Sequence, residues 1–206
     1  MNKAPHISDG NMKVGLLPSF SISTKSCDMI PGPTEQGCGA HCYAKKLERI
    51  YSNTRKRYEM NFADSQLPNF VDTMITEIGL SKAVKKVGIF RIHVAGDFYC
   101  QKYVDDWIKI VKAYPSVSFY AYTKGYNLDF SQRPDNLVMK LSDDKDLWPA
   151  EQGKFDGVAR VYEPDQPCPK GFVPCGSQRV TGMTCAKCKM CTGKLGRKAN
   201  VGFKRH

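Results

Sequence analysis

Apolar residues recur along this chain at two spacings that alternate with each other. Short apolar runs bounded by turn residues predict strands over 14–23, 88–97, 117–125, 136–144 and 158–164. Apolar positions three and four residues apart predict helices over 42–62, within 67–86 and over 101–114. Strands that alternate with helices form βαβ units, so we predict an α/β fold: a parallel sheet or a partial (βα) barrel of about five to six strands. In such folds, functional groups lie at the carboxyl ends of the strands.

The composition changes after Pro164. Residues 165–206, called the tail below, contain much Gly and Pro, show little apolar periodicity and carry five of the nine cysteines. A segment of this kind is expected to be organised by bound metal. We therefore predict two domains, an α/β partial barrel over 1–164 and a cysteine-rich metal-binding C-terminal segment over 165–206.

The overall composition is that of an ordinary globular protein, with 41% hydrophobic and 25% charged residues. A core of normal size therefore forms without covalent staples, and the cysteines need another explanation. No apolar run is long enough to cross a bilayer, and the first residues lack the apolar stretch of a secretory signal. We expect a cytoplasmic protein without membrane contact, in which reducing conditions keep thiols available for metal or catalysis.

The strongest local motif is Cys185-x2-Cys188-x2-Cys191 in the tail. Two-residue spacings let successive thiolates turn toward one centre, as a [4Fe–4S] cluster or a tetrahedral zinc site requires. Three cysteines in this pattern favour iron–sulfur, with Cys168 or Cys175 as the fourth ligand. The alternative is a zinc ribbon formed by Cys168, Cys175, Cys185 and Cys188, which leaves Cys191 spare.

A second group consists of Cys27, Cys38 and Cys42. Cys42 opens a predicted helix, where the helix dipole and free amides favour a thiolate or an anionic cluster. Three cysteine ligands would leave one iron of a [4Fe–4S] cluster open to an outside ligand, whereas His41 would complete a zinc site instead. The spacing leaves open whether the two groups hold one cluster or two. Cys100 has no partner nearby in sequence, and we interpret it as structural.

This order of motifs resembles the radical S-adenosylmethionine (SAM) superfamily. In that superfamily a cysteine trio lies in the loop after the first strand and before a helix. Here the loop ends in Cys38, Cys42 and Tyr43 before the predicted helix, and the resemblance implies that Tyr43 contacts the cofactor. The segments YAYTKG and KLSDD resemble its third and fourth strands, and the tail is similar to the auxiliary-cluster segments of many members. The chain also resembles a set of small phage-encoded proteins of unassigned role that carry a CYAxK element and an AGDFY turn. That resemblance implies a location in the host cytoplasm.

The resemblance also implies a cofactor site around Ala95-Gly96-Asp97, which is similar to the Gly-Gly-Glu-like turn that meets the amino group of SAM. Asp97 would pair with that ammonium, while Thr123 or His93 would line the mouth. The implied reaction is one-electron cleavage of SAM to a 5′-deoxyadenosyl radical, with an electron donor as partner. Its substrate is unidentified, and an anionic substrate is one option. No catalytic residue follows from the resemblance. The other interpretation of Asp97 is a turn or helix N-cap residue.

The charge leaves further hypotheses open. Lys and Arg total 31 against 20 Asp and Glu, a formal charge of +11 that suggests a polyanionic partner or a merely solvated surface. A basic helix would suit a non-enzymatic module in which clusters or zinc stabilise a nucleic-acid-binding surface. Its basic residues are Lys45, Lys46, Arg49, Arg55, Lys56 and Arg57. Alternatively, two clusters in one small protein would make an electron carrier.

Overall fold

Seven parallel strands form one open sheet in the computed structural model, which describes residues 6–10, 15–30, 42–142, 149–193, 197 and 199–205. In chain order they are β1 (Ser19–Phe20), β2 (Ile89–Ile92), β3 (Ser118–Thr123), β4 (Leu137–Ser142), β5 (Val158–Tyr162), β6 (Val173–Pro174) and β7 (Val201–Lys204). Across the sheet the order is β1-β2-β3-β4-β5-β7-β6. The predicted α/β class with a parallel sheet is confirmed. The predicted ligands Cys38 and His41 lie outside the described residues.

The tail supplies two of these strands, which is why the sheet exceeds the predicted five to six. β7 lies between β5 and β6 and pairs in parallel with both. Ala159 of β5 is opposite Val201 of β7, and Val173 of β6 is opposite the same residue. The chain therefore returns to the sheet after the cysteine motif, and residues 175–193 form a connection that crosses over the sheet.

The helices are shorter than predicted. They are α1 (Tyr43–Ile50), α2 (Ser52–Asp64), α3 (Phe70–Leu80), α4 (Lys82–Val87), α5 (Gln101–Lys112), α6 (Gly176–Arg179) and α7 (Cys185–Cys188), with 3-10 helices at Thr24–Met29 and Pro149–Lys154. None of the described helices combines the length and apolarity needed to span a membrane.

The prediction of one continuous helix over 42–62 is wrong, whereas the helix predicted within 67–86 is confirmed as α3 and is followed by the short α4. Tyr51 adopts an extended conformation (φ −109°, ψ 100°) between α1 and α2. Ser81 separates α3 from α4, and its hydroxyl accepts a hydrogen bond from Val84 N at 3.2 Å. This is a serine N-cap, which favours starting a new helix over continuing the old one. The predicted strand over 14–23 is likewise reduced to the two residues of β1.

One face of the sheet carries the main apolar core. Side chains alternate between the two faces of a strand, so Phe20, Phe90 and Phe119 point to the same side. Helices α3 and α5 cover this side, and Trp107 of α5 lies in ring contact with Phe20 and Phe90, all fully buried. This core fixes the positions at which β1, β2 and β3 end, and hence the loops that follow them.

The opposite face is covered by the tail. Arg91 of β2 is opposite Tyr120 of β3, which is itself opposite Val138 of β4, so the three share this face. Cys185 and Cys191 pack against the small apolar cluster that contains Tyr120 and Val138. The protein is therefore layered as helices, sheet and cysteine-rich tail.

A buried histidine joins the N-terminal segment to α2 and α3. His6 Nδ1 lies 2.5 Å from Glu77 Oε1, and His6 Nε2 lies 2.8 Å from Asp64 Oδ2. The hydrogen bond to Glu77 raises the pKa of His6 despite the opposing effect of burial. Burial of Glu77 acts to raise the pKa of its carboxyl, but the hydrogen bonds from His6 outweigh burial and lower this pKa. The protonated imidazole is therefore held between two carboxylates.

We expect His6→Gln to lose stability in a pH-dependent way. The contribution of His6 is complete below its unfolded pKa of 6.5 and disappears as the pH rises through its raised folded value. The contribution of Glu77 is present above 4.5 and disappears as the pH falls through its lowered value. The difference in unfolding free energy, about 1–3 kcal/mol, should be largest between pH 4.5 and 6.5 and shrink at alkaline pH. Urea titrations of both proteins across this range measure it, and a pH-independent difference would contradict it.

Candidate metal centre

Cys27 and Cys42, the two described members of the N-terminal cysteine group, lie near the carboxyl ends of β1 and β2. Cys27 is in the 3-10 helix that follows β1, and Cys42 immediately precedes α1. Burial raises the pKa of the Cys27 thiol to about 12, and the negative charges of Asp97 and Cys42 add to this rise. The structure thus brings two of the predicted trio together beside Asp97.

Asp97 connects the turn after β2 to the end of β3. Its carboxylate accepts hydrogen bonds from Thr123 Oγ1 at 2.6 Å and from the backbone N–H groups of Lys124 and Phe98, both at 2.7 Å. Burial raises its pKa to about 6 in spite of these three donors. Asp97 is not the N-cap of α5, which begins after Cys100. Thr123 is fully buried, and its hydroxyl is committed to Asp97.

The turn itself depends on glycine. Gly96 has φ +81°, and a Cβ there would lie 2.5 Å from Ile22 Cγ1 and 2.7 Å from the Ile22 carbonyl oxygen. Ile22 N donates to the Ala95 carbonyl at 3.1 Å, which holds the two loops together. Tyr43 donates its phenol hydrogen to the Val94 carbonyl oxygen and is half exposed. The predicted cofactor residues Tyr43, Ala95, Gly96, Asp97 and Thr123 therefore form one neighbourhood.

His93 occupies a different environment from the mouth-lining position proposed for it. It has φ +63° and points into the aromatic core, where Nε2 lies 2.9 Å from Tyr103 Oη. Burial lowers its pKa to about 3, and the nearby positive charge of Arg91 contributes to the decrease. His93 is therefore neutral and 3% exposed. Its role in this structure is packing.

The tail contains the other group of cysteines, which consists of Cys175, Cys185, Cys188 and Cys191. Cys175 precedes α6 and Cys185 and Cys188 are the ends of α7, while a Cβ on Gly176 would lie only 2.8 Å from Cys188 Sγ. Burial raises the pKa of Cys191 to about 11, with contributions from the charges of Cys175 and Cys185. Burial also raises the pKa of Cys185, and Cys175 and Cys188 act in the same direction.

Cys168 is placed differently from these four. Its thiol lies against Gly202 and Tyr162 and donates to the Phe172 carbonyl at 3.6 Å. Burial raises its pKa, and the neighbour that modifies it is Tyr162. Of the two candidates for a fourth ligand, Cys175 is the one that the fold groups with the CxxCxxC trio. Cys100 lies at the start of α5 and packs against the main core, as a structural residue would.

The tail thiols are suitable ligands for a metal cation. Within the described ranges the cysteines are thiols and not disulfides. No three Cys, His, Asp or Glu side chains of the same ranges are closed into a metal-binding arrangement. Neighbouring thiols raise one another's pKa because two thiolates repel, and a bound metal ion removes that repulsion and deprotonates them. Metal binding would therefore require the four tail thiols to close up around it.

Two cations lie on the sheet beneath the tail cysteines. Arg91 acts on Cys185 and lowers its pKa against the effect of burial. Lys140 of β4, 1% exposed, acts in the same way on Cys191 and donates to the Ala199 carbonyl. Sequence reasoning missed both, although a charged residue inside an apolar strand such as FRI or LVMKL is an available signal.

Comparison with known proteins yields one family. Residues 5–194 match the family described as Gene product 88. The chain is 28% identical to the Gene 88 protein of Mycobacterium phage L5 over 207 aligned positions, which cover 88% of this chain and 85% of that protein. It is 27% identical to the Gene 88 protein of Mycobacterium phage D29, with 66% of this chain and 61% of that protein covered. No solved structure matches the chain.

We expect Gly96→Ala to be far more damaging than Gly88→Ala. Both glycines have positive φ, at +81° and +67°, so both substitutions cost about 1–2 kcal/mol of backbone strain. Gly88, however, has open space where the Cβ would be, whereas Gly96 meets Ile22. The clash should add about 1–3 kcal/mol. Urea denaturation of the two variants measures this, and equal losses would show that Ile22 moves aside freely.

Proposed function

The chain belongs to the Gene product 88 family, and we propose that it is an iron–sulfur protein whose two cysteine groups bind [4Fe–4S] clusters. The observation that carries the proposal is the assembly of Cys175, Cys185, Cys188 and Cys191 on one face of the sheet. Four thiolates are a complete ligand set for such a cluster. A phage relative and the reducing conditions that thiolate ligation needs favour action in the cytoplasm of the infected host.

Iron–sulfur is preferred to zinc because of spacing and not because of charge. A four-thiolate zinc site and a four-thiolate cluster are both anionic, so the nearby Arg91 and Lys140 suit either centre. The CxxCxxC pattern of Cys185, Cys188 and Cys191 favours the cluster, since structural zinc usually takes two pairs set well apart. Measuring iron, acid-labile sulfide and zinc on anaerobically purified protein separates the two.

We further propose that the N-terminal group is the site of radical-SAM-type chemistry. Cys27 and Cys42 lie beside Asp97 at the carboxyl ends of the strands, where α/β folds place reactive groups. A three-cysteine cluster would supply there an iron with an open position and an electron for SAM cleavage. The spacing Cys27-x10-Cys38-x3-Cys42 is wider than the usual CxxxCxxC. Formation of 5′-deoxyadenosine from SAM by the reduced protein tests this; intact SAM with a fully loaded, reduced protein would leave an electron carrier as the function.

A nucleic-acid-binding module is the second candidate. Lys45, Lys46, Arg49, Arg55 and Lys56 are all exposed on the consecutive helices α1 and α2. Exposed cations at this density give salt-dependent binding to phosphate backbones. Binding to DNA or RNA that weakens steeply with salt would support this role, and a flat salt response would oppose it.

We expect a cysteine substitution in either group to remove only the iron that is bound by that group. Cys185→Ser should lose the tail cluster, about half of the iron if each group holds one [4Fe–4S], while Cys42→Ser should lose the other half. Cys100→Ser is the matched control and should keep all of it, because Cys100 packs against the core. Iron and sulfide per chain measure the outcome. Full iron in both variants would refute Cys185 and Cys42 as ligands, and complete loss in either would indicate one shared cluster.

We also expect Cys175→Ser to lower the iron content of the tail and Cys168→Ser to leave it unchanged. The reason is that Cys175 lies with the trio, whereas Cys168 contacts Tyr162 and Gly202. The measurement is again iron per chain, made in a Cys42→Ser background so that only the tail site contributes. The reverse result would assign Cys168 as the fourth ligand.

A further inference from the structure

Arg91 has a fixed position on the face of the sheet that the tail covers. Its guanidinium carbon lies 5.3 Å from the ring centroid of Tyr122 and 5.9 Å from that of Tyr120. Its Nε donates to the His93 carbonyl oxygen at 3.0 Å. Two aromatic rings and a backbone acceptor therefore hold the planar group in one orientation, as cation–π contacts and a hydrogen bond do.

No carboxylate of the described residues forms an ion pair with Arg91. The ionisable groups that act on it most strongly are Tyr120, Tyr43, Tyr122 and Cys185, and Tyr58 and His93 are also within range of its charge. An enclosed cation is costly unless an opposite charge compensates it. Among these neighbours the Cys185 thiol is the one that metal binding would make anionic. Cys185 packs against the cluster that contains Tyr120, on the face that carries Arg91, so an anionic centre held by the tail would lie beside the guanidinium.

Arg91 is within electrostatic range of residues from both cysteine groups. Tyr43, which directly follows Cys42, is bonded to the Val94 carbonyl and acts on the charge of Arg91. Cys185, which belongs to the tail, acts on it as well. Lys140 complements it at the tail, where it faces Cys191.

Building on the proposed function, we propose that Arg91 is a positioning residue that compensates the charge of the tail cluster and raises its reduction potential. Reduction adds one negative charge to a four-thiolate cluster. A fixed positive charge in a partly buried site stabilises the more negative form more strongly than the less negative one. Nearby charge and hydrogen bonding are the ordinary means by which a protein sets the potential of such a cluster.

The test is a redox titration of the tail cluster in the full-length Cys42→Ser protein, which isolates that cluster from the other site. Arg91→Gln should lower the equilibrium constant for reduction about tenfold, equivalent to 59 mV for a one-electron couple. Arg91→Lys retains the charge and should keep most of the wild-type potential. The matched control is Arg160→Gln, which removes the same charge elsewhere, because Arg160 of β5 also stacks on an aromatic ring, Phe172, at 4.9 Å. It should leave the potential unchanged.

The outcomes separate this inference from the proposed function. A wild-type protein without iron and sulfide overturns both. An unchanged potential in a fully loaded Arg91→Gln protein overturns the role of Arg91 alone. If Arg91→Gln fails to hold its cluster, Arg91→Met, whose stem still packs between the tyrosines, replaces it. Loss of the cluster in the neutral variants but not in Arg91→Lys supports charge compensation, and equal loss in Arg91→Lys refutes it.

Discussion

The parallel pairing of β7 with β5 is the interaction on which the arrangement of the cysteines depends. Val201 and Gly202 sit opposite Ala159 and Arg160, so the chain must return to the sheet after its cysteine motif. The connection between β6 and β7 then has to cross one face of the sheet. Because Arg91 and Lys140 lie on that same face, the thiols meet positive charge there. Backbone hydrogen bonding thus dictates the electrostatic surroundings of the tail cysteines.

The turn after β2 illustrates a second constraint, which is local. Asp97 has the acidic character that the SAM resemblance requires, yet its carboxylate already accepts three hydrogen bonds from within the protein. Those bonds join the ends of β2 and β3, and Gly96 permits the close approach of Ile22 that completes the turn. The turn is therefore fully formed without a ligand. A ligand that uses Asp97 would share the carboxylate with Thr123 and with backbone amides.

The alternation of apolar runs was sufficient to predict the α/β class, because buried parallel strands such as IFRI and SFYAYT are rich in aromatic and β-branched residues. It was not sufficient for the helix ends. The break at Ser81 depends on one hydroxyl cap, and the break at Tyr51 interrupts a pattern that is helical on both sides. Periodicity summed over a window cannot resolve single-residue effects of this kind.

The sequence marks the candidate ligands by their spacing but does not show what surrounds them. Cysteine spacing marks CxxCxxC in any chain, but the choice between Cys168 and Cys175 follows from where β6 ends and α6 begins. The importance of Arg91 depends on register: only the pairing with Tyr120, and of Tyr122 with Lys140, shows that these side chains share a face with the tail. Long-range pairing of this sort leaves no local trace in the sequence.

The position of β7 has a consequence for handling the protein. As long as the tail is not docked, β5 is an edge strand, with unpaired N–H and C=O groups along Val158–Tyr162. Such an edge pairs readily with the edge of another molecule. Preparations in which β7 is prevented from docking on β5 are therefore expected to aggregate through this exposed edge.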